Sequence, residues 1–299
     1  EDGTSYGTVG GGTLEAQTYE EALLAMNTHE ARILKIDMNS AAVSDRGMIC
    51  GGDVSVLLEP IATRYRDVYE KVWALTTDRQ KGVIITGSEN GVLTKGLIDS
   101  QDVITGDVPD PDTVIRFSKL MRTNRSLLVD SFFIENITIP NRLYIFGAGH
   151  VAEYLVKLAG IADFEVTVID ERKEFANHKR FPDAGEIVVA GVRDAFHCLD
   201  FTGDEYVVIM SWSHEQDSVI LEKVLNHKAR YVGMIGSKRK ITAIKDRVQE
   251  KGISESLINS IYAPIGVPIN AETPQEIAFS IVAELIKVKN DTDRALEKQ

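Results

Sequence analysis

Gly147-Ala148-Gly149-His150-Val151-Ala152 fits the pattern G-x-G-x-x-G/A. In such a run Gly147 permits a tight turn and Gly149 lets a phosphate approach the backbone. Ala152 lets the following helix pack closely on a sheet. The free N–H groups of the turn, Val151 included, and the positive end of the helix attract an anion. Asp170 ends the next apolar run, near the expected spacing of ~20 residues. Its carboxylate would accept hydrogen bonds from ribose hydroxyls or, for a pterin ligand, from ring N–H groups. His150 stands where its side chain could face the same ligand. The bland alternative is a tightly packed turn that holds only water or a stray anion.

Two further groups should end on the same edge, because a parallel sheet binds its ligands beyond the carboxyl ends of its strands. The first is Ser211-Trp212-Ser213-His214. Ser213 is spent as a helix cap, which leaves Ser211 and His214 as ligand contacts. The second is Gly236-Ser237-Lys238-Arg239-Lys240. Ser237 can present its N–H at a helix start, while Lys238 and Arg239 put cations where the helix dipole disfavours them. That local conflict points to a nearby anion. A dehydrogenase would also need an acid/base group beside its nicotinamide. The chain has no Tyr-x-x-x-Lys, no H-E-x-x-H and no Walker loop. An NAD-dependent oxidoreductase remains the competing reading; it rests on the glycine motif and Asp170, whose acidic end favours NAD over NADP, a choice that Arg172 leaves open.

The elements that would position these groups follow from pattern. Short apolar runs at Leu143–Phe146, Glu165–Ile169, Glu186–Val189, Tyr206–Met210 and Tyr231–Ile235 alternate with helical stretches. That alternation predicts a doubly wound, Rossmann-like parallel sheet. Ser213 with Gln216, and Thr273-Pro274 with Glu276, read as capping boxes that open helices at 214 and 274. The second helix should bury Ala278, Ile281, Val282 and Leu285.

Upstream the pattern is mixed α/β. One helix carries Tyr19, Ala22, Leu23 and Met26 on one face, and another carries Val68, Val72 and Leu75. Residues 32–38 and 54–59 read as strands, and Ile49–Gly52 as a glycine turn. Glu89-Asn90-Gly91 joins a hairpin. A short helix is expected over 113–122 and a strand pair or one long bent strand over 126–137. Pro140 breaks regular pairing, so the domains are expected at 1–139 and 140–299. The chain opens on Glu1 within a glycine-rich loop, which leaves residues before it an open question.

Composition narrows the function classes. The 299 residues carry 33 Lys plus Arg against 45 Asp plus Glu, a net charge of -12. Such a balance argues against nucleic acid and anionic membrane as partners, since both need clustered cations. Two cysteines, Cys50 and Cys198, allow no disulfide framework, and a reducing cytoplasm is the expected compartment.

The order of short motifs along the chain resembles the XdhC/CoxI accessory factors of molybdenum hydroxylases. The parallels are "GTVGGGTLE" (7–15), "CGGDVSVLLEP" (50–60), "FGAGHVA", "SHEQD", "MIGSKRK" and "GVPINAETPQEIAFSIVAEL". The resemblance implies an N-terminal accessory domain and a Rossmann-like C-terminal domain. It also implies a cofactor-insertion chaperone, not itself a dehydrogenase, that binds molybdenum cofactor as molybdopterin or its dinucleotide. The implied partners are an apo-hydroxylase such as xanthine dehydrogenase, a cysteine desulfurase and a second copy of the chain. On the same grounds Gly11, Gly12, Glu15, Gly51 and Gly52 become candidate cofactor contacts, and Cys50 a contact to molybdenum. Where many members carry a cysteine after the first glycine pair, this chain has Thr13. A role that needs two thiols therefore has only Cys50 to rest on.

Overall fold

The computed structural model describes residues 4–37, 53–61, 63–89, 92–107, 126–129 and 132–297. Cys50, Gly51, Gly52, Asn90, Gly91 and the helix expected over 113–122 lie outside them. The chain forms two compact units, Glu1–Thr138 and Ile139–Gln299.

In the first unit, α1 (Gly12–Thr28) precedes an antiparallel pair, β1 (Arg32–Asp37) and β2 (Asp53–Leu58). After α2 (Arg66–Thr77) come β3 (Gly82–Glu89), β4 (Val92–Asp99), β5 (Ile104–Gly106), β6 (Leu127–Val129) and β7 (Phe132–Asn136). These five form an antiparallel sheet in the order β5-β4-β3-β7-β6. The hairpin expected around Glu89 is present, with β3 and β4 paired from Gly82↔Asp99 to Glu89↔Val92. The expected helical stripe of α2 packs Val68 and Leu75 with Leu97 and Ile137 of the sheet face.

The first helix differs from expectation. Tyr19, Leu23 and Met26 are exposed, and the buried residues are Leu14 and Ala25. Leu14 and Ala25 stand three turns apart on one line, with Leu23 roughly half a turn away. Apolar residues surround this helix, so their spacing did not select a face.

The α2 side of the sheet also holds charge. Register places Glu135 beside Ile84 and Lys95 beside Thr86 on that face. Lys95 Nζ lies 2.7 Å from a Glu59 carboxylate oxygen and 5.2 Å from the Tyr69 ring centroid. Burial, reinforced by Glu59 and opposed by Lys95, holds the Glu135 carboxyl above the usual carboxylate range.

The second unit is the doubly wound sheet that the alternation predicts. Its elements are β8 (Asn141–Phe146), α3 (His150–Ile161), β9 (Phe164–Ile169), β10 (Glu186–Val188), α4 (Val192–Ala195) and β11 (Tyr206–Ile209). Then follow α5 (His214–His227), β12 (Tyr231–Met234), α6 (Lys238–Glu250), α7 (Glu255–Asn259) and α8 (Pro274–Glu297). Every pairing is parallel, in the order β10-β9-β8-β11-β12.

Alternate residues of β8 feed two cores. Leu143 and Ile145 pack with the helices α3 and α8, while Tyr144 and Phe146 pack with α5 and α6. Both faces of the strand are apolar because both are covered. Each such side chain contributes about 1.5–3 kcal/mol. Ala278, Ile281, Val282 and Leu285 of α8 are buried as expected.

The two helix caps part company. At α8, Thr273 Oγ1 accepts from the Glu276 N–H at 3.3 Å, and the Glu276 carboxylate accepts from the Thr273 N–H at 3.0 Å. The box is complete. At α5, Ser213 Oγ accepts from the Glu215 N–H at 3.2 Å, but Gln216 does not reach back. Its side-chain amide donates instead to Glu171 at 2.7 Å, a charged acceptor in the turn after β9.

Candidate functional site

The strand order brings four turns into one row at the carboxyl edge of the sheet. Connections leave β8 toward β9 on one side, and β11 lies on its other side, so the sheet reverses its winding between β8 and β11. Rossmann-type sheets hold their ligands at such a switch point.

Gly147 is fixed there by backbone sterics. Its φ is +119°, and an added Cβ would lie 2.3 Å from the Met210 carbonyl oxygen and 3.0 Å from Ser211 Cα. Only glycine lets the turn after β8 pass so close to the end of β11. Gly149 is different. Its φ is -81°, and a Cβ there would meet nothing within 4 Å. Gly149 caps α3, and no side chain accepts from that helix start. The Val151 side chain packs against the core, so only its backbone is available at the turn. His150 is exposed, with Nδ1 3.9 Å from a Glu153 oxygen.

The turn is buttressed from both sides. Asp170 Oδ2 accepts from the Ala148 N–H at 2.9 Å. Arg180 Nη1 donates to the Ala148 carbonyl at 2.9 Å, and its guanidinium pairs with Glu153 at 2.6 Å. Asp170, almost wholly buried, also takes three donors from Arg172. The Arg172 N–H reaches Oδ1 at 3.0 Å, Nε reaches Oδ1 at 2.9 Å and Nη2 reaches Oδ2 at 2.7 Å. Burial alone would raise the Asp170 pKa. The Arg172 side chain and the two backbone N–H groups outweigh it and hold the carboxyl below its usual 3.8. The Arg172 guanidinium lies 4.2 Å from the Phe175 ring centroid and 5.7 Å from that of Trp212.

Beside Asp170 a small cleft, with room for little more than a water molecule, opens to solvent between Gly147, Ile169, Ala190, Val192, Ser211 and Gln216.

Ser211 reaches this cleft but is already engaged. Its hydroxyl donates to Asp217 Oδ1 at 2.5 Å, and its N–H donates to the same oxygen at 3.1 Å. Asp217 is fully buried, and Lys240 Nζ lies 2.5 Å from its Oδ2. Asp217 and Lys240 therefore tie the turn after β11 to the first turn of α6. Neither stood out in the sequence: an acid near a helix start reads as a dipole partner, and Lys240 as one more cation in a basic run.

His214 is exposed at the first position of α5. Ser237 caps α6 by accepting from the Lys240 N–H at 3.3 Å, and Lys238 and Arg239 are exposed. These three lie beyond β12, one strand further from the switch point than Ser211. In the first unit, Glu15 closes the glycine-rich segment on itself. Its carboxylate accepts from the Gly11 N–H at 2.9 Å and from Thr8 Oγ1 at 2.7 Å, and Gly12 opens α1.

A parallel sheet wound on both faces, with a glycine turn and a buried acid at its switch point, defines a Rossmann-type ligand-binding unit. Comparison with known proteins narrows the class. The family model described as "XdhC Rossmann domain" matches residues 143–285, and that of the "XdhC and CoxI family" matches residues 1–37. The chain belongs to the XdhC/CoxI family.

A Bacillus subtilis protein, named as a probable subunit of xanthine dehydrogenase, is 25% identical over 96% of this chain and 85% of its own length. An uncharacterized Escherichia coli protein, YqeB, is 34% identical over 56% of this chain, a match that spans only 30% of that relative's length. A Bacillus halodurans crystal structure described as a xanthine dehydrogenase superposes with a TM-score of 0.83 at 28% identity. It covers 97% of this chain and 84% of its own. Among the described residues no helix is long and apolar enough to cross a membrane.

Proposed function

We propose that this protein is a molybdenum cofactor-binding accessory factor that delivers the cofactor to a molybdenum hydroxylase such as xanthine dehydrogenase. The observation that carries the reading is the helix start at Gly149, open to an anion and uncapped by any side chain, set next to a buried carboxylate inside an XdhC-type Rossmann unit. Molybdopterin has a phosphate end and a polar pterin end, and this donor and acceptor set fits both. The N–H groups of the helix start, from Gly149 to Val151, hold the phosphate. Asp170 accepts from the pterin. Lys238, Arg239 and the N–H of Ser237 add positive potential along the same edge, and Ser211 and His214 line the approach.

Once bound, the cofactor supplies the metal centre that the receiving enzyme uses. The residues of this chain hold it and release it. Among the described residues no group of three His, Cys, Asp or Glu is placed to grip a metal ion. Within the first unit, Cys50 is proposed as a contact to molybdenum, and Gly51, Gly52, Gly11, Gly12 and Glu15 as cofactor contacts in their own right. The relatives named for xanthine dehydrogenase support an apo-hydroxylase as partner, and a cysteine desulfurase and a second copy of the chain complete the proposed assembly. The proposed domain limits are 1–139 and 140–299.

The test is retention and transfer. Purified chain is incubated with released cofactor, separated by gel filtration and mixed with apo-hydroxylase. Co-elution followed by hydroxylase activation is expected, and no co-elution overturns the reading. NAD-dependent oxidation is the second reading, favoured by Gly147, Gly149 and Asp170 in their usual order. It predicts micromolar NAD binding by calorimetry, and absence of that heat removes it.

A further inference from the structure

The most telling feature of the switch point is what Asp170 already holds. Its two oxygens face the planar fork of Arg172, with Nε at 2.9 Å from one and Nη2 at 2.7 Å from the other. That fork is a pair of parallel N–H donors on a flat, conjugated N–C–N unit. It lies over the Phe175 ring and within 5.7 Å of the Trp212 ring centroid, and Trp212 is 61% exposed. The Arg172 side chain is itself 27% exposed, so it can swing into water. The space in front of the carboxylate is therefore shaped for a flat group carrying two adjacent N–H donors, with aromatic rings beside it.

From this geometry we infer that Asp170 is the recognition group for a 2-amino-4-oxopyrimidine ring, as found in pterins and in guanine, and that Arg172 is a built-in stand-in which such a ring displaces. The ring edge of that class presents an N–H and an amino N–H side by side on one N–C–N unit, the same donor pair as the arginine fork. A ribose diol also offers two donors, but it is puckered and gains nothing from stacking on aromatic rings. Adenine lacks the donor pair. The inference rests on reading this edge as the cofactor's place, and it adds which part of the ligand the acid reads and which side chain must leave first.

The assignment has two consequences. In the free protein the carboxylate stays satisfied, which avoids the cost of a buried unpaired charge. Binding also carries a fixed cost, the loss of the Asp170–Arg172 pair, which keeps the ligand exchangeable, as a carrier requires. Removing Arg172 should therefore tighten binding of the correct ring class and leave other ligands unchanged.

The experiment is calorimetric titration of the full chain with two matched pairs. Guanosine and adenosine monophosphate share ribose and phosphate and differ in the donor edge. Pterin and lumazine share the fused ring and differ in the 2-amino group. Wild-type protein should prefer the 2-amino-4-oxo member of at least one pair by about tenfold, as expected for a charge-assisted contact. Preference in the pterin pair alone names a pterin, and preference in the guanine pair names a nucleotide.

Arg172→Ala should raise affinity for the preferred ligand several-fold without changing its matched control. Asp170→Asn should abolish the preference. Without the Arg172 side chain Asp170 keeps the Ala148 and residue-172 backbone N–H donors, so this variant keeps the test decisive if Asp170→Asn does not fold. Equal affinities within both pairs, or weaker binding to Arg172→Ala, overturns the inference. Cofactor retention measured on the same variants separates the two ideas. Retention and transfer unaffected by Asp170→Asn leave delivery standing and remove Asp170 as the reader. A clear ring preference without transfer does the reverse.

Discussion

Gly147→Ala and Gly149→Ala form a pair of substitutions that the motif alone treats as equivalent and the structure does not. At Gly147 the new methyl would sit 2.3 Å from the Met210 carbonyl oxygen and 2.7 Å from its carbon, both backbone atoms of the adjoining strand end. Neither atom can rotate away, so β8 and β11 must separate or the turn must rebuild. Overpacking of this kind costs roughly 1–3 kcal/mol, and an L side chain at φ +119° adds roughly 1–2 kcal/mol more. A loss of about 3 kcal/mol is expected. For a unit of this size that lowers Tm by about 6–12 °C. At Gly149 the backbone is already extended in φ and the methyl meets nothing, so stability should fall only by the roughly 0.5–1 kcal/mol that separates glycine from alanine at a helix cap. The same methyl stands over the helix start and should weaken binding of any phosphate-bearing ligand.

The assay is urea and thermal unfolding in a Trp73→Phe background. The chain has two tryptophans, Trp73 and Trp212, so that background leaves Trp212 to report on the Rossmann unit alone. A Gly147→Ala protein as stable as wild type, or a Gly149→Ala protein equally destabilised, would refute the claim that the turn is set by the approach of β11.

Asp217→Ala should cost about 3–5 kcal/mol in urea unfolding, because it leaves the mostly buried Lys240 ammonium without its partner; a change below about 1 kcal/mol counts against that coupling. Asp170 is held below its usual value in the folded state, so its contribution to stability is complete above that value and fades as pH falls through the depressed one. Urea midpoints between pH 7 and pH 2 should therefore fall less steeply at the acid end for Asp170→Asn than for wild type. Glu135 is shifted the other way, so keeping it ionised costs stability above its ordinary 4.5. Glu135→Gln should raise Tm at pH 7 and leave it unchanged at pH 4; a lower Tm at pH 7 would show that the carboxylate stabilises the fold through Lys95.

Much of the second unit was legible before any coordinates, for reasons that particular residues make plain. Leu143–Phe146, Tyr206–Ile209 and Tyr231–Met234 are short, unbroken apolar runs, and a strand covered on both faces has no need to alternate. Thr273-Pro274 and Glu276 marked the start of α8 because a cap is a local arrangement of donors and acceptors only three residues apart. Gln216 misled for the opposite reason. Its competitor, Glu171, is 45 positions away in the chain, and no local rule weighs a partner at that separation. The first helix misled through excess, since apolar residues on several sides leave the choice of face to whatever packs against it.

By itself the sequence determined the class of the protein. Alternating apolar runs demanded a parallel sheet, the glycines after Phe146 demanded a tight turn, and Asp170 was placed at the end of the next strand. Those are local consequences of sterics, hydrogen bonding and periodicity. Only the tertiary structure decided what the functional groups are doing. It satisfied Asp170 with the Arg172 fork and the Ala148 N–H, buried Asp217 between Ser211 and Lys240, and made Gly147 indispensable while leaving Gly149 room to spare. Each of those outcomes depends on which side chain or strand end arrives within about 3 Å, the reach of a hydrogen bond or a steric clash. Distances that short between residues far apart in the chain are created by the winding of the sheet.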